Sequence, residues 1–166
     1  MKVNIALLTV TDTRTIDNDK SGGILVDKIK EANHNLIDRK ICKDNKNDIV
    51  MILKDWIKNE KIDVIITTGG TGLTGRDITP EALNEIADKH IPGFGEVFRN
   101  ISLKTVGTSA IQSRACAVLS NGKYIFALPG SSGGVTDAWE GILNKQLDIN
   151  HKPCNFVELF PRLKEK

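Results

Sequence analysis

The sequence predicts an α/β fold, a three-layer α/β/α sandwich whose mainly parallel sheet carries one antiparallel strand. Apolar, β-branched runs alternate with helical patterns along the 166 residues, which is typical of a sheet covered by helices on both faces. Residues 3–10 and 62–68 are apolar almost throughout, as expected of parallel strands buried on both faces. Asn121-Gly122 separates two further apolar runs and predicts a tight hairpin, which supplies the antiparallel strand.

The first half of the chain contains two predicted helices and an edge strand. A polar loop over residues 12–23 follows the first strand and leads into a helix over residues 22–32. Residues 35–43 have a mixed alternating pattern that predicts an edge strand. Residues 45–59 form the clearest amphipathic helix, because their apolar residues recur at helical spacing: Ile49, Ile52, Leu53, Trp56 and Ile57.

The second half begins with the strand over residues 62–68, which leads into a glycine-rich loop. Thr79 as a hydroxyl N-cap, Pro80 at the first helical position and Glu81 in the first turn predict that a helix begins there. The remaining predicted elements are a helix over 94–103, hairpin strands over 115–120 and 123–128, and a helix over 135–147.

Composition and charge limit the possible functions. The length of 166 residues predicts a single domain over 1–166. Because 23 basic and 21 acidic residues leave a net charge of only +2, the chain offers no basic field for a nucleic acid or an anionic membrane. The apolar run at the amino end is short and predicts a strand, not a signal peptide or a membrane span.

The cysteines and histidines predict no disulfide framework and no zinc cluster. Cys42, Cys116 and Cys154 are far apart and lack the paired spacing that zinc sites use. An odd number of separated cysteines is typical of a protein from a reducing compartment, so we expect a cytoplasmic protein.

The glycine-rich loop is the feature that points most directly to a ligand. Four glycines, Gly69, Gly70, Gly72 and Gly75, lie within seven positions, which predicts backbone that comes close to something, often a phosphate. A long turn with positive φ angles is the alternative. The loop leaves a strand at the carboxyl edge of the sheet, as do the segments TDTR and PGSSGG, and ligands of α/β folds bind at that edge.

Two nucleotide-binding motifs are disfavoured in this loop. Gly70, Gly72 and Gly75 match G-x-G-x-x-G, but residues 76–79 separate them from the helix that this motif should open directly. A nicotinamide-dependent oxidoreductase is therefore a weak alternative. A P-loop is excluded because no Lys-Ser/Thr pair follows the glycines.

Four segments together carry a resemblance to a known family. TTGGTGLTGRDITPEAL, PGFGEVFR, GTSAIQSRA and ALPGSSGG occur in this order, and the chain resembles the MoaB and MogA molybdopterin-binding proteins of molybdenum cofactor synthesis and the related G and E domains of gephyrin-like proteins. The resemblance covers roughly residues 4–156. The segment GTSAIQSRA and the tail KPCNF are more similar to MoaB than to MogA.

The resemblance implies a reaction and its participants. MogA-like proteins transfer AMP from ATP to the terminal phosphate of molybdopterin and release pyrophosphate. Both reactants are polyanions, so a Mg²⁺ ion held by oxygen ligands is expected between them. Molybdopterin and ATP are therefore the expected partners. A molybdopterin-binding protein of the same fold that carries the pterin without catalysis is the alternative.

Two aspartates match the functional aspartates of the family. The resemblance implies that Asp77 holds Mg²⁺ or orients the attacking phosphate, whereas it could otherwise only favour the adjacent helix terminus, an effect of ~0.3–1 kcal/mol. Asp44 is the second candidate, and either it or Asn45 could simply cap the following helix. Where MogA has Pro-Asp-Glu, this chain has Lys43-Asp44-Asn45, so the second carboxylate is missing.

The resemblance also implies the residues that bind the substrates and the assembly of the protein. Family members are trimers or hexamers, so we expect a homo-oligomer, with Phe94, Val97, Phe98 and Ile101 as a candidate contact face. We interpret Phe94, Phe98 and Trp139 as core or subunit-contact residues, the alternative being that they stack on a pterin. Arg14 and Arg76 could neutralise charge or lie in solvent. The expected substrate-binding residues come from all three loops: Thr11, Asp12, Gly69, Gly70, Thr71, Gly72, Pro129, Gly130, Ser131 and Ser132.

Overall fold

The structure is a computed structural model that describes residues 1–165. These residues form one six-stranded sheet in the order β2-β1-β3-β6-β5-β4. Within this range β5 alone runs against the other strands, because it pairs antiparallel with both β4 and β6. The predicted mainly parallel sheet with one antiparallel strand is therefore confirmed. The strands are β1 Asn4–Val10, β2 Asn35–Cys42, β3 Val64–Thr68, β4 Lys89–His90, β5 Cys116–Ser120 and β6 Lys123–Leu128.

Helices cover both faces of the sheet and complete the three layers. The helices are α1 Lys20–Glu31, α2 Lys46–Lys58, α3 Thr79–Ile86, α4 Pro92–Val106, α5 Ser132–Ala138 and α6 Asn144–Gln146. A π-helical turn, Trp139–Leu143, joins α5 to α6, and 3-10 turns cover Gly107–Gln112 and Val157–Arg162. Across residues 1–165, no helix has both the length and the apolar character that crossing a bilayer requires.

The alternation of side chains along the strands produces two apolar clusters. Ile5 and Leu7 of β1 pack with α1, α4 and α5 on one face, while Ala6 and Leu8 pack with α2 and α3 on the other. All four side chains are fully buried. Continuous apolar runs therefore form the central strands, as the sequence predicts.

Helix α4 differs from its predicted role as a contact face. Phe94 and Phe98 are 3% and 1% exposed, and both belong to the core between α4 and the sheet. Trp139 is buried in the same cluster. These aromatic side chains are already covered within one chain, so the predicted four-residue contact face is wrong for Phe94 and Phe98.

The helix starts show how local signals compete with tertiary contacts. Asn45 caps α2, accepting a hydrogen bond from the Asp48 amide at 3.1 Å, and Asp44 does not take that role. Thr79 is not the N-cap of α3, contrary to the prediction, and Ile78 occupies that position. The Thr79 hydroxyl instead donates to the Gly69 carbonyl at 2.8 Å, because it is buried against the glycine-rich loop.

The register of the sheet brings three loops to one edge. Val10 pairs with Cys42, Thr9 pairs with Thr68, and Thr68 pairs with Leu128. Because these parallel strands end together, the segments that follow β1, β3 and β6 lie side by side. The edge predicted from the sequence is therefore where the loops meet.

Candidate functional site

A cleft of about 420 Å³ lies at this carboxyl edge of the sheet. It is open to solvent between the loops that follow β1, β3 and β6. Its lining combines hydroxyls, backbone of the glycine-rich loop, two arginines and two aspartates: Thr9, Val10, Thr11, Thr13, Arg14, Ser21, Asp44, Thr68, Gly69, Gly70, Arg76, Asp77, Gly130 and Ser131. Such a polar, mixed-charge lining suits a phosphate-bearing ligand better than an apolar one.

Asp12 connects two of the loops. Its carboxylate accepts from Arg76 Nε at 3.0 Å and from Nη2 at 2.6 Å, and also from the Asp44 amide at 3.1 Å. The hydrogen bonds from Arg76 are the main reason that the pKa of Asp12 is lowered, followed by the bond from the Asp44 amide. Arg76 is therefore held across the mouth of the cleft, although its side chain is 67% exposed.

Asp44 has a different environment. It is half-buried, and within residues 1–165 its carboxylate accepts no hydrogen bond that meets normal geometry. Burial raises the pKa of Asp44, the negative charges of Asp12 and Asp77 raise it further, and Arg76 only partly opposes them. Asp44 is thus a carboxylate in a region of excess negative charge, where a cation would be favourable.

Asp77 lies at the end of the glycine-rich loop and is stabilised as a carboxylate. Its Oδ2 accepts from the Thr74 amide at 2.9 Å and from the Thr74 hydroxyl at 2.7 Å. Burial by itself raises the pKa of Asp77, but the bonds from Thr74 and from the Gly72 amide outweigh burial, so the pKa is lowered. Asp77 therefore remains negatively charged at neutral pH.

Backbone angles and close contacts within the fold explain why glycine occupies several of these positions. Gly69 has a φ of 99°, and a Cβ there would lie 2.2 Å from the Val10 carbonyl oxygen. Gly70 has a φ of 68°, and its Cβ would lie 2.4 Å from the Thr79 hydroxyl. At Gly72 a Cβ would lie 2.7 Å from Asp77 Oδ2, whereas at Gly75 it would meet no described atom within 4 Å. The fold thus requires glycine at positions 69 and 70, where φ is positive, which supports the turn alternative without excluding a ligand.

The loop after β6 packs against the glycine-rich loop. A Cβ on Gly130 would lie 3.2 Å from the Gly69 Cα, so the two backbones are in close contact. The Gly130 carbonyl accepts from Arg14 Nη1 at 3.2 Å, and the Pro129 carbonyl accepts from the Thr68 hydroxyl at 2.7 Å. Ser131 caps α5 by accepting from the Gly134 amide at 3.1 Å. One of the helix-terminal donors expected for an anion is therefore already used.

The structure brings most of the predicted site residues together. Thr71 differs: it is 4% exposed and its carbonyl accepts from the Arg114 amide at 2.8 Å, so its side chain does not open into the cleft. Asp12 does not line the cleft itself, but its carboxylate contacts the lining residue Arg76. The predicted residues that line it directly are Thr11, Asp44, Gly69, Gly70, Asp77, Gly130 and Ser131, while Gly72, Pro129 and Ser132 lie in the adjoining segments without lining the cleft.

Several lining residues were not predicted. Thr9 and Thr68 are the last or nearly last residues of their strands, and Ser21 lies in the first turn of α1. Hydroxyls at the carboxyl ends of apolar runs are the signal that could have identified Thr9 and Thr68. Ser21 carries no such signal in the sequence, because its position at the cleft depends on how helix α1 packs against the sheet.

The side chains fit a magnesium ion only if a substrate completes its coordination. Within residues 1–165, no group of three or more histidine, cysteine, aspartate or glutamate side chains is arranged to hold a metal. Mg²⁺ is commonly bound by one or two carboxylates together with substrate phosphates. The carboxylates of Asp44 and Asp77 at one cleft meet that requirement.

Comparison with known proteins shows which family this chain is similar to. Residues 6–149 match a family model described as a probable molybdopterin binding domain. Molybdenum cofactor biosynthesis protein B of Escherichia coli K12 is 45% identical over 161 residues, which are 97% of this chain and 93% of that protein. The protein of the same name from Staphylococcus aureus MRSA252 is 44% identical over 149 residues, 88% of each chain.

Solved structures show the same fold. A crystal structure of molybdenum cofactor biosynthesis protein B superposes with a TM-score of 0.90 at 38% identity, covering 100% of this chain and 98% of the other. The tungsten cofactor synthesizing protein MoaB from Pyrococcus furiosus has a TM-score of 0.78 at 34% identity, covering 87% of this chain and 92% of the other. Each of these two superpositions covers at least 87% of both chains compared.

Proposed function

The chain belongs to the family of probable molybdopterin-binding domains, and from that premise we propose that it binds molybdopterin and adenylylates it with MgATP, releasing pyrophosphate. One observation carries the proposal. Asp44 and Asp77 line the same cleft as Arg14, Arg76 and Gly69 and Gly70 of the glycine-rich loop. Transfer of a nucleotidyl group between polyanions depends on positioning and charge stabilisation, and this cleft provides cations, carboxylates and hydroxyl groups together.

The proposed reaction balances without an added proton donor. A terminal phosphate oxygen of molybdopterin attacks the α-phosphorus of ATP, and the bond from that phosphorus to the β-phosphate oxygen breaks, with pyrophosphate as the leaving group. A bound Mg²⁺ would neutralise charge on the phosphates. Asp44 and Asp77 would hold it, because Asp77 is ionised and Asp44 lies where negative charge is in excess.

The arginines are proposed to bind the phosphates directly. Arg14 reaches across the cleft to the Gly130 carbonyl, and Arg76 is held by Asp12. Guanidinium groups form strong charge-assisted hydrogen bonds to phosphate oxygens. Binding of a phosphate would give Arg14 Nη1 a charged hydrogen-bond partner in place of the neutral Gly130 carbonyl.

Binding without catalysis is the second candidate, and one observation favours it. Asn45 follows Asp44 and is used as the cap of α2, where a catalytic MogA-like chain would have a second carboxylate. With fewer carboxylates, the cleft would hold a metal–phosphate complex less well. The chain would then bind molybdopterin and protect it without efficient turnover.

The deciding experiment supplies the purified protein with molybdopterin, ATP and Mg²⁺. Adenylylation predicts pyrophosphate release in equal amount to an adenylylated pterin identified by mass spectrometry. Isothermal titration with molybdopterin alone runs in parallel. Binding without pyrophosphate release would support the carrier function, and the absence of both would overturn the assignment of this cleft.

A further inference from the structure

Arg114 lies outside the glycine-rich loop and donates three hydrogen bonds to its backbone. Its backbone amide donates to the Thr71 carbonyl at 2.8 Å, and its Nε donates to the Gly72 carbonyl at 2.7 Å. Its Nη2 donates to the Asp77 carbonyl at 2.9 Å. One residue therefore binds the beginning and the end of the segment 71–77, although it is 37 to 43 positions away in the sequence.

The remaining donor of Arg114 fixes the guanidinium group. Nη1 donates to Glu81 Oε1 of helix α3, and this bond is the main reason that the pKa of Glu81 is lowered. Glu81 therefore remains ionised and orients the planar guanidinium towards the loop. A lysine could not reproduce this arrangement, because an ammonium group lacks the fixed fork of donors.

The bonds to Arg114 also determine where the loop amides point. In a planar trans peptide the carbonyl and the following amide point in opposite directions. The Thr71 carbonyl points to Arg114, so the Gly72 amide points the other way. The Asp77 carboxylate lies against Gly72, since a Cβ there would be 2.7 Å from Asp77 Oδ2, and it accepts from the Thr74 amide at 2.9 Å. The backbone that Arg114 holds at Gly72 and Asp77 is thus the backbone that surrounds the Asp77 carboxylate.

Within residues 1–165, no other side chain from outside the loop and α3 donates to the carbonyls of residues 71–78. Arg99 provides a natural comparison. Its Nη1 donates to the carbonyls of Ser113 and Ala115, on either side of Arg114, at 3.3 and 3.1 Å. Arg99 therefore supports the same segment of chain without contacting the glycine-rich loop.

We propose that Arg114 is a positioning residue for the reaction: it holds the glycine-rich loop so that the Asp77 carboxylate faces the cleft. This positioning supports a catalytic role of Asp77, and that role rests on the proposed adenylylation. Arg114 does not line the cleft, so it acts through the loop and not by contact with the substrate. Displacement of a reacting group by about 1 Å is enough to lower a rate ~10²-fold.

Arg114→Lys, compared with Arg99→Lys, tests the proposal through catalysis. We expect Arg114→Lys to lower kcat by about 10- to 100-fold, while Arg99→Lys stays near the wild type. In an Asp77→Asn background the same Arg114→Lys change should have little further effect, because residues that act as a unit are not additive. Equal losses in both backgrounds would show that Arg114 does not act through Asp77 and would overturn the proposal.

Amide hydrogen exchange provides a measurement that does not depend on activity. Arg114→Lys should accelerate exchange in the segment 69–78, and Arg99→Lys should not. Unchanged exchange in Arg114→Lys would overturn the anchoring itself. If wild-type protein does not adenylylate but exchange responds as expected, the adenylylation proposal fails while the anchoring stands. Glu81→Gln removes the charge that orients the guanidinium, so it should give the same changes to a smaller extent and replaces Arg114→Lys if that variant folds poorly.

Discussion

Asp44 and Asp77 line one cleft, yet their surroundings shift their pKa values in opposite directions. Burial and the charges of Asp12 and Asp77 raise the pKa of Asp44. For Asp77, the hydrogen bonds from Thr74 and Gly72 outweigh burial and lower the pKa. Paired carboxylates with diverging pKa values are common where they have different roles. The hydrogen bonds around Asp77 keep it negatively charged. Asp44 is the carboxylate whose electrostatic repulsion a bound cation would relieve.

The first residue-scale prediction concerns Asp77. Asp77→Asn should lower adenylylation about 10²- to 10³-fold, as loss of one well-placed electrostatic group does. The melting temperature should change little, because the asparagine oxygen can still accept from Thr74. Steady-state rates and thermal unfolding are measured on the same preparation.

Asp148→Asn is the control for that experiment. Asp148 also accepts from a nearby backbone amide, that of Asn150 at 2.9 Å, but it lies outside the cleft. Its substitution should leave the rate unchanged. A large loss of stability in Asp77→Asn with full activity per folded molecule would show that Asp77 only stabilises the loop.

The second residue-scale prediction concerns Asp44 and pH. Its pKa in the folded protein lies above the ordinary value of 3.8, so ionised Asp44 destabilises the folded state at neutral pH. That cost falls as the pH drops through the folded pKa, and it is absent below about 3.8. Asp44→Asn should therefore raise the melting temperature at pH 7 by up to about 3 °C, which corresponds to ~1 kcal/mol at this size.

The gain from Asp44→Asn should disappear when melting is followed at pH values near 3.8. Asp55→Asn, at an exposed position of helix α2, is the control and should leave the melting temperature close to that of the wild type. A stabilisation of Asp44→Asn that does not depend on pH would contradict the electrostatic explanation.

At the scale of elements, the glycines of the glycine-rich loop differ in what the fold requires of them. Gly69 and Gly70 have positive φ and lie against Val10 and Thr79. Gly75 has free space around it. The four glycines that look equivalent in the sequence therefore have unequal roles.

Substitutions at two of these glycines should separate the roles. Gly69→Ala should lower the melting temperature by at least about 4 °C, because left-handed strain of ~1–2 kcal/mol adds to the contact with the Val10 carbonyl. Gly75→Ala should leave the melting temperature nearly unchanged. Thermal unfolding by circular dichroism checks both, and equal melting temperatures would contradict the strained geometry at Gly69.

The boundaries of the helices and strands show which local sequence patterns are enough to predict an element. Helix α2 was predicted to within one residue at each end, because its periodicity and its Asn45 cap are both local. Strand β4 was missed, since Lys89 and His90 carry no strand pattern and are held only by pairing with Leu119 and Val118. Helix α1 begins at Lys20, two residues before the predicted start. The reason is that the Asp19 side chain caps the helix by accepting a hydrogen bond from the Gly22 amide.

At the scale of the whole molecule, assembly remains a prediction from the family resemblance. With Phe94 and Phe98 inside the core, the apolar side chains that α4 and the following 3-10 turn leave in solvent are different ones. Val97, Leu103, Val106 and Ile111 are 49, 50, 53 and 78% exposed. Leu103 and Val106 are three positions apart in α4 and so share one face of it, and exposed apolar side chains that lie together are typical of a surface that another protein covers.

We expect a trimer or hexamer in solution, with this surface in the contact. Ile111→Asp should shift the mass measured by light scattering at micromolar concentration towards the monomer. Met51→Asp, on exposed α2, should not, although Met51 is 65% exposed. A wild-type protein with the mass of a monomer would exclude the oligomer, and an unchanged mass in Ile111→Asp would place the contact elsewhere.

The sequence by itself determined the fold class, the order of the main elements, the carboxyl edge at which the three loops meet, and the family. Apolar periodicity, caps and turn residues depend on neighbours a few positions away, so these features can be read from local patterns. Only the tertiary structure decided that Arg76 binds Asp12, 64 residues away, and that Arg114 holds Gly72, 42 residues away. A side-chain partner at such a distance is set by how the loops pack at the edge of the sheet, and no local pattern encodes that packing.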